Sequence, residues 1–399
     1  MASHWIGWVF AVASALLFVF KELLDKPREH QKQWIWRFSW MSAAAAAAAV
    51  FLLVPESSIT SEDVERAAES GSRRAMTAMF DSLKQCNAEV RSAPGGIQKD
   101  CGELATRWAA FAQTAFDSAQ VAMGLGNFDK ALIHLQYAQL SVRGDSAKVS
   151  EVYFYTGNCF LNLHRLQEAA MSYDSATAYE SNSTSAWNYK GVALSEAGKW
   201  EEAVGSYSKA VGIDPNYEKP WYNTGMIFAQ FGRWEDAIES FGRAIRSKRN
   251  YPEAWCDRGV ALCKLGRFEE GLQNCDSALA YKTDFPLAWN NRGAALVDLN
   301  RCPEGLASCD TAIHYQHEFW KAWFTRAHAL RCLGRHLEEL KSCDSALAYK
   351  HDDADTWYYR AGTLVLLHRP DDALRSCDSA LKYKPDMSCA SDLKKTIVP

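Results

Sequence analysis

The sequence predicts an all-α protein in which paired helices stack one upon another behind an apolar N-terminal segment. Three observations carry this expectation: a tryptophan that recurs every 34 residues, small residues at fixed offsets from it, and two long uncharged runs within the first 55 residues. Composition agrees. Of 399 residues, 48% are hydrophobic, enough for a buried core and too many for wholesale disorder. The 44 basic and 48 acidic residues give a net charge of −4, which leaves no electrostatic footprint for a nucleic-acid partner. Twelve cysteines are too sparse for a small disulfide-built fold.

The two apolar runs come first. Trp5 to Phe20 and Phe38 to Val54 carry no charge, and as helices each reaches roughly 25 Å, close to the thickness of a bilayer's hydrocarbon core. Trp5, Trp8, Trp34, Trp36 and Trp40 sit at their rims as interfacial aromatics do. A cleaved signal peptide would need a basic start, and nothing before Lys21 is basic. Residues 1–55 are therefore expected to form a transmembrane hairpin with spans at about 5–24 and 38–54. The linker holds Lys21, Lys26, Arg28, Lys32 and Arg37, against Arg66, Arg73 and Arg74 after the second span. This asymmetry places the linker in the cytoplasm and the region beyond residue 55 on the non-cytoplasmic side of the membrane.

Residues 56–111 are expected to be a helical connector that caps the first repeat, broken at Ser92-Ala93-Pro94-Gly95-Gly96. In the repeats themselves, Trp187, Trp221, Trp255, Trp289, Trp323 and Trp357 are evenly spaced by 34, and Tyr153 extends the series upstream. Four residues after each anchor stands Gly157, Gly191, Gly225, Gly259, Gly293, Ala327 or Ala361; twenty-three after stands alanine, as at Ala278 and Ala312. Eleven after stands His164, Gly198, Gly232, Gly266, Asn300, Gly334 or His368, a turn residue suited to a left-handed cap. A basic residue follows each turn, and an acid comes three residues later, as in Arg267 and Glu270. Each unit thus reads as helix A, tight turn, helix B, too thin to bury its apolar face without neighbours.

The pattern is clearest from Ala186-Trp187 through Pro215, and there it resembles the tetratricopeptide repeat. The resemblance covers residues 150–387 as units 150–183, 184–217, 218–251, 252–285, 286–319, 320–353 and 354–387. A degenerate copy occupies 112–149, with Gly126-Asn127-Phe128 as its turn, and 388–399 form a short C-terminal cap. It implies a right-handed α-solenoid of about eight helix pairs whose A helices line a concave groove. It also implies a protein or peptide partner in that groove. The residue after each anchor is then the candidate contact: Asn188, Tyr222, Asn290, Phe324 and Tyr358.

Signs of chemistry are thin. Cys275, Cys309, Cys343 and Cys377 take the place held by Tyr173, Tyr207 and Phe241, and read as small buried hydrophobes one repeat apart, too distant for disulfides. No Cys-x-x-Cys or His-x-x-x-His occurs, and Cys302 with Cys309 spans two helical turns, so no metal site is expected. Cys86 and Cys101 flank the Pro-Gly-Gly bend and form a candidate disulfide, conditional on an oxidising compartment. A basic series (Lys190, Arg258, Arg292, Arg326, Arg360) and an acidic one (Asp174, Asp276, Asp310, Asp344, Asp378) share the 34-residue period. They offer either a ladder for an acidic peptide or ion pairs between helices. The sequence therefore predicts a membrane-anchored scaffold or adaptor, without catalysis or cofactor. The alternatives are a thiol-based redox or metal-binding protein using the array cysteines, and a self-assembling structural protein.

Overall fold

The computed structural model describes residues 113–142 and 145–397. The hairpin at 1–55, the connector at 56–111 and the Cys86–Cys101 pair lie outside them. Among the described residues there are 17 helices and no strand, and no helix is long and apolar enough to cross a membrane. The chain divides into two units, Met1–Ser181 and Asn182–Pro399.

In the first unit, α1 (113–124), α2 (Phe128–Ser141) and α3 (Ser146–Asn162) enclose a core of Ala115, Ala119, Leu135, Ala138 and Val152, and α4 (Leu166–Tyr179) packs on α3. Capping explains the helix starts. The Asn127 side chain accepts from the Lys130 amide and the Asp145 side chain from the Lys148 amide, satisfying donors that a helix N-terminus leaves open.

The second unit holds six helix pairs and a closing helix. The first helices are α5 (Thr184–Glu196), α7 (Glu218–Gln230), α9 (Pro252–Lys264), α11 (Pro286–Asp298), α13 (Trp320–Cys332) and α15 (Ala354–Leu366). Their partners are α6 (Trp200–Ile213), α8 (Trp234–Ser247), α10 (Phe268–Tyr281), α12 (Cys302–Tyr315), α14 (His336–Tyr349) and α16 (Pro370–Tyr383), with α17 (Ser388–Ile397) last. First helices of successive pairs touch, α5 with α7, α9 with α11, α11 with α13, so the stack is tight on their side.

Size complementarity sets the approach within each pair. A Cβ on Gly225 would lie 2.7 Å from two ring carbons of Phe241, and one on Gly157 2.6 Å from Tyr173 Cε1. Gly191 stands in the same relation to Tyr207. Where cysteine replaces the ring, either glycine or alanine stands across the pair: Gly259 and Gly293 face Cys275 and Cys309, with a Cβ on Gly293 still only 2.7 Å from Sγ, while Ala327 and Ala361 occupy the matching places in the pairs that carry Cys343 and Cys377. The four repeated cysteines are fully buried and free, so their packing role is as the sequence predicts.

The anchoring tryptophans are half-buried. Their indole N–H fixes the loop that enters each pair: Trp255 Nε1 donates to the Arg249 carbonyl at 2.9 Å, and Trp289, Trp323 and Trp357 reach the carbonyls of Thr283, His317 and His351 at 2.8 Å. At the tight turns, Gly198, Gly232, Gly266 and Gly334 take positive φ, and His164, Asn300 and His368 take it too, at 54°, 58° and 56°. The basic residue after each turn pairs with the acid three further on, as Arg267 does with Glu270 at 2.6 Å. Both are exposed, so solvent screening leaves such a pair little weight in stability.

Candidate partner-binding face

The touching first helices present one side of the second unit, and its residues form a repeated ladder. The residue after one anchor meets the residue two after the next. Asn223 Nδ2 donates to Asn188 Oδ1 at 3.4 Å, the Tyr222 hydroxyl to Asp257 Oδ2 at 2.7 Å, and Asn291 Nδ2 contacts Cys256 Sγ at 3.3 Å. Phe324 and Tyr359 continue the series as rings 5.5 Å apart.

The structure places the sequence-predicted contacts deeper than a groove surface. Asn188 and Asn290 are 2% and 6% exposed; Asn188 is an interior member of the ladder, and Asn290 Nδ2 donates to Asn291 Oδ1 at 3.2 Å. Tyr222 is half-buried with its hydroxyl engaged, and burial followed by the Asp257 charge pushes its pKa up. Phe324 packs beside His328 at 4.6 Å, and Tyr358 packs against the core of Ala380, Met387 and Ala390. The reason is geometric: helix A meets two neighbours, so the position next to the anchor is sandwiched. The partly exposed row lies one residue on, at Asn223, Asp257, Asn291 and Tyr359. Burial raises the Asp257 pKa, with the Tyr222 hydrogen bond opposing it.

The shared period of the two charge series has a structural outcome. Arg292 Nε meets Asp276 at 2.7 Å and Arg326 Nε meets Asp310 at 2.6 Å. Arg360 Nε meets Asp344 at 2.7 Å. Each guanidinium also donates through Nη1 to a serine at 2.7 Å, Ser308, Ser342 or Ser376. These three cations are spent between helices, so of the two readings the structure shows the ion pairs between helices.

Two constellations escape sequence reasoning. The first is a buried ion pair. Glu339, 0% exposed, stands where other pairs have Ala or Gly, and accepts from Arg331 Nε at 2.6 Å and from Thr363 Oγ1 at 2.7 Å, with His336 Nδ1 at 2.9 Å. The Arg331 guanidinium lies 3.6 Å over the Tyr359 ring, and His328 stacks on the ring's plane at 3.9 Å. Burial, then the Arg331 charge, brings the His328 pKa down to about 4. The signal was present: Glu339 breaks the small-residue series at the same pair in which Arg331 breaks an uncharged one. The second is a disulfide between Cys302, at the start of α12, and Cys332, at the end of α13, with Cα atoms 6.2 Å apart. The two cysteines lie on neighbouring helices of successive pairs, a proximity that spacing along one helix does not reveal.

Among the described residues the buried array thiols are not activated. Burial pushes Cys159 up to about 11 and Cys256, Cys309 and Cys343 up to about 12, the reverse of what a nucleophilic thiolate needs. Among the described residues no group of three or more His, Cys, Asp or Glu could hold a metal ion.

Fold and face together define an α-helical repeat protein. Family models described as tetratricopeptide repeat match residues 116–183 and 157–218, and one described as TPR repeat matches 225–266. Over these segments the chain is similar to the tetratricopeptide repeat. A tetratricopeptide repeat protein from Parabacteroides merdae aligns over 64% of this chain and 100% of its own, with TM-score 0.52 and 16% identity. The APC/C hetero-tetramer Cut9-Hcn1 aligns over 89% of this chain and 67% of its own, with TM-score 0.53 and 17% identity. At such identities the likeness shows the fold alone. No curated protein matches the chain at the sequence level.

Proposed function

We propose that this chain is a non-catalytic scaffold that binds a protein or peptide partner along the first-helix face of its second unit. In the same reading, residues 1–55 anchor it in a membrane and the repeats lie on the non-cytoplasmic side. Proteins of tetratricopeptide type generally mediate protein–protein interactions, which supports the class of partner. The observation that carries the reading is the partly exposed row Asn223, Asp257, Asn291 and Tyr359 on helices that touch. Amides and an acid on a preformed surface offer hydrogen bonds to an extended chain at little ordering cost. The raised thiol pKa values weigh against the redox alternative. The Cys302–Cys332 disulfide supports the non-cytoplasmic placement, since such bonds persist in oxidising compartments.

Photo-crosslinking residues placed in the full chain at Asn223 and Asn291, and at Lys209 on α6 as a control, test the face. Crosslinks to a discrete partner from the first two sites and none from Lys209 support it; equal labelling from all three refutes it. Protease protection of the repeats in sealed vesicles tests the membrane placement, and digestion from the cytoplasmic side overturns it.

A further inference from the structure

The ion-pair ladder has one broken rung. In the later pairs, each arginine three residues past an anchor finds an aspartate sixteen residues earlier: Arg292 with Asp276, Arg326 with Asp310, Arg360 with Asp344. Arg258 occupies the same position, but residue 242 is glycine. A Cβ built on Gly242 would have Arg246 Nη1 at 3.6 Å and Arg258 Nε at 3.8 Å as its nearest neighbours. Two guanidinium groups therefore converge where the other rungs carry a carboxylate.

The space is a pocket of about 460 Å³ lined by Gly242, Arg246, Arg249, Trp255, Arg258 and Tyr281 among others, with no acidic side chain in its wall. Its residues come from α8, the loop after it, α9 and α10, and include none of the row Asn223, Asp257, Asn291 and Tyr359. Arg258 keeps one contact, Nη1 to Asn274 Oδ1 at 3.3 Å, while its buried Nε has no hydrogen-bond partner. The Trp255 indole N–H is already committed to the Arg249 carbonyl, which leaves the ring as an apolar wall. Burial and the Arg267 charge lower the Arg258 pKa, Glu270 opposes them, and Arg246 adds to the lowering. The cluster is positive and lacks a counter-ion within its own wall.

We propose that this pocket binds a phosphate monoester, with the phosphate beside Gly242 between Arg246 and Arg258 and the organic group against Trp255 and Tyr281. Three arginines favour a doubly charged oxyanion over a single carboxylate, and guanidinium forks match phosphate geometry. The volume lies in the range of small-ligand sites and exceeds what a bare phosphate fills.

Titration calorimetry of the full chain with phenyl phosphate, inorganic phosphate and benzoate at low salt tests this. Phenyl phosphate should bind at least about tenfold tighter than either control, the first difference coming from the ring and the second from charge. Gly242→Asp rebuilds the missing rung and should weaken phenyl phosphate binding at least about tenfold while the protein melts no lower than wild type. Arg258→Gln should also weaken binding, which guards against an unforeseen effect of the aspartate. Binding unchanged in Gly242→Asp, benzoate binding as tightly as phenyl phosphate, inorganic phosphate binding as tightly as the ester, or no heat at about 10 mM ligand would each overturn the proposal.

Discussion

Replacing Gly225 with alanine tests the packing rule that fixes the spacing of each helix pair. The new Cβ would sit 2.7 Å from Cδ1 and Cε1 of Phe241, about 1 Å inside ordinary carbon–carbon contact. Phe241 is fully buried among Ala237, Ala261, Tyr222, Phe228 and Trp234, so its ring has nowhere to swing. Overpacking of this kind costs about 1–3 kcal/mol, and alanine regains about 0.5–1 kcal/mol of helix preference, leaving a net loss of about 1–2 kcal/mol. The same substitution made in a Phe241→Cys background should change sign. Phe241→Cys costs about 3–5 kcal/mol through its cavity, but it converts the pair to the arrangement of Ala327 with Cys343. There Gly225→Ala should stabilise by about 0.5–1 kcal/mol. Thermal unfolding of the four proteins, followed by helical circular dichroism, reads the cycle. An equal fall of the midpoint on adding alanine in both backgrounds would refute the reasoning.

The other expectations concern turns, protons and sulfur. His368 holds φ at 56° without glycine's freedom, so His368→Gly should raise stability by about 1 kcal/mol, read as a higher melting midpoint; a lower one would mean that the imidazole contributes more than its backbone costs. His328 titrates near 6.5 when unfolded and at about 4 when folded, so the unfolded state takes up the proton first. Its contribution is complete above pH 6.5, declines as pH falls, and is lost by about pH 4, to the extent of about 3 kcal/mol. Denaturation of wild type and His328→Gln at pH 7 and pH 4.5 should show the wild type losing more on acidification. The Cys302–Cys332 bond spans 30 residues, and closing such a loop stabilises by about 3–4 kcal/mol in the chain-entropy account. Non-reduced peptide mapping should find the two joined, and Cys332→Ser should lower the melting midpoint; free thiols at both positions would remove the bond. Ala312 is fully buried, and Ala312→Leu should cost about 1–3 kcal/mol by overpacking, with an unaltered melt counting against the assigned register.

Much of the fold was legible because its determinants are local and repeated. A turn that needs positive φ selects Gly or Asn, and the same demand shows through even where histidine meets it, at His164 and His368. The exchange of Tyr207 and Phe241 for cysteine read as packing, and the structure adds the partner that makes sense of it, the glycine or alanine across the pair. What stayed hidden depends on which residues of different repeats meet. The ladder on the first helices joins residues 35 apart, one more than the repeat, so a reading anchored on equivalent positions assigned Asn188 and Asn290 to a surface when each is covered by its neighbours.

The exceptions to the repeat are more informative than the repeat itself. A stack of near-identical pairs has near-identical electrostatics, so departures concentrate where one copy differs from the next. Glu339 brings charge into a position meant for a methyl group and is tolerated because Arg331, Thr363 and His336 supply its hydrogen bonds, while Gly362 leaves Arg331 the room it needs, its absent Cβ lying 3.3 Å from Nη2. An unpaired buried carboxylate would be strongly destabilising, so these changes are viable only together. Gly242 is the converse case, an anion removed with no compensating loss of cations, and Arg258 is left with a buried N–H that nothing in the protein satisfies. A fold that completes its other ion-pair rungs at 2.6–2.7 Å has the means to complete this one, which is why the arginines around Gly242 point to a ligand rather than to imperfect packing.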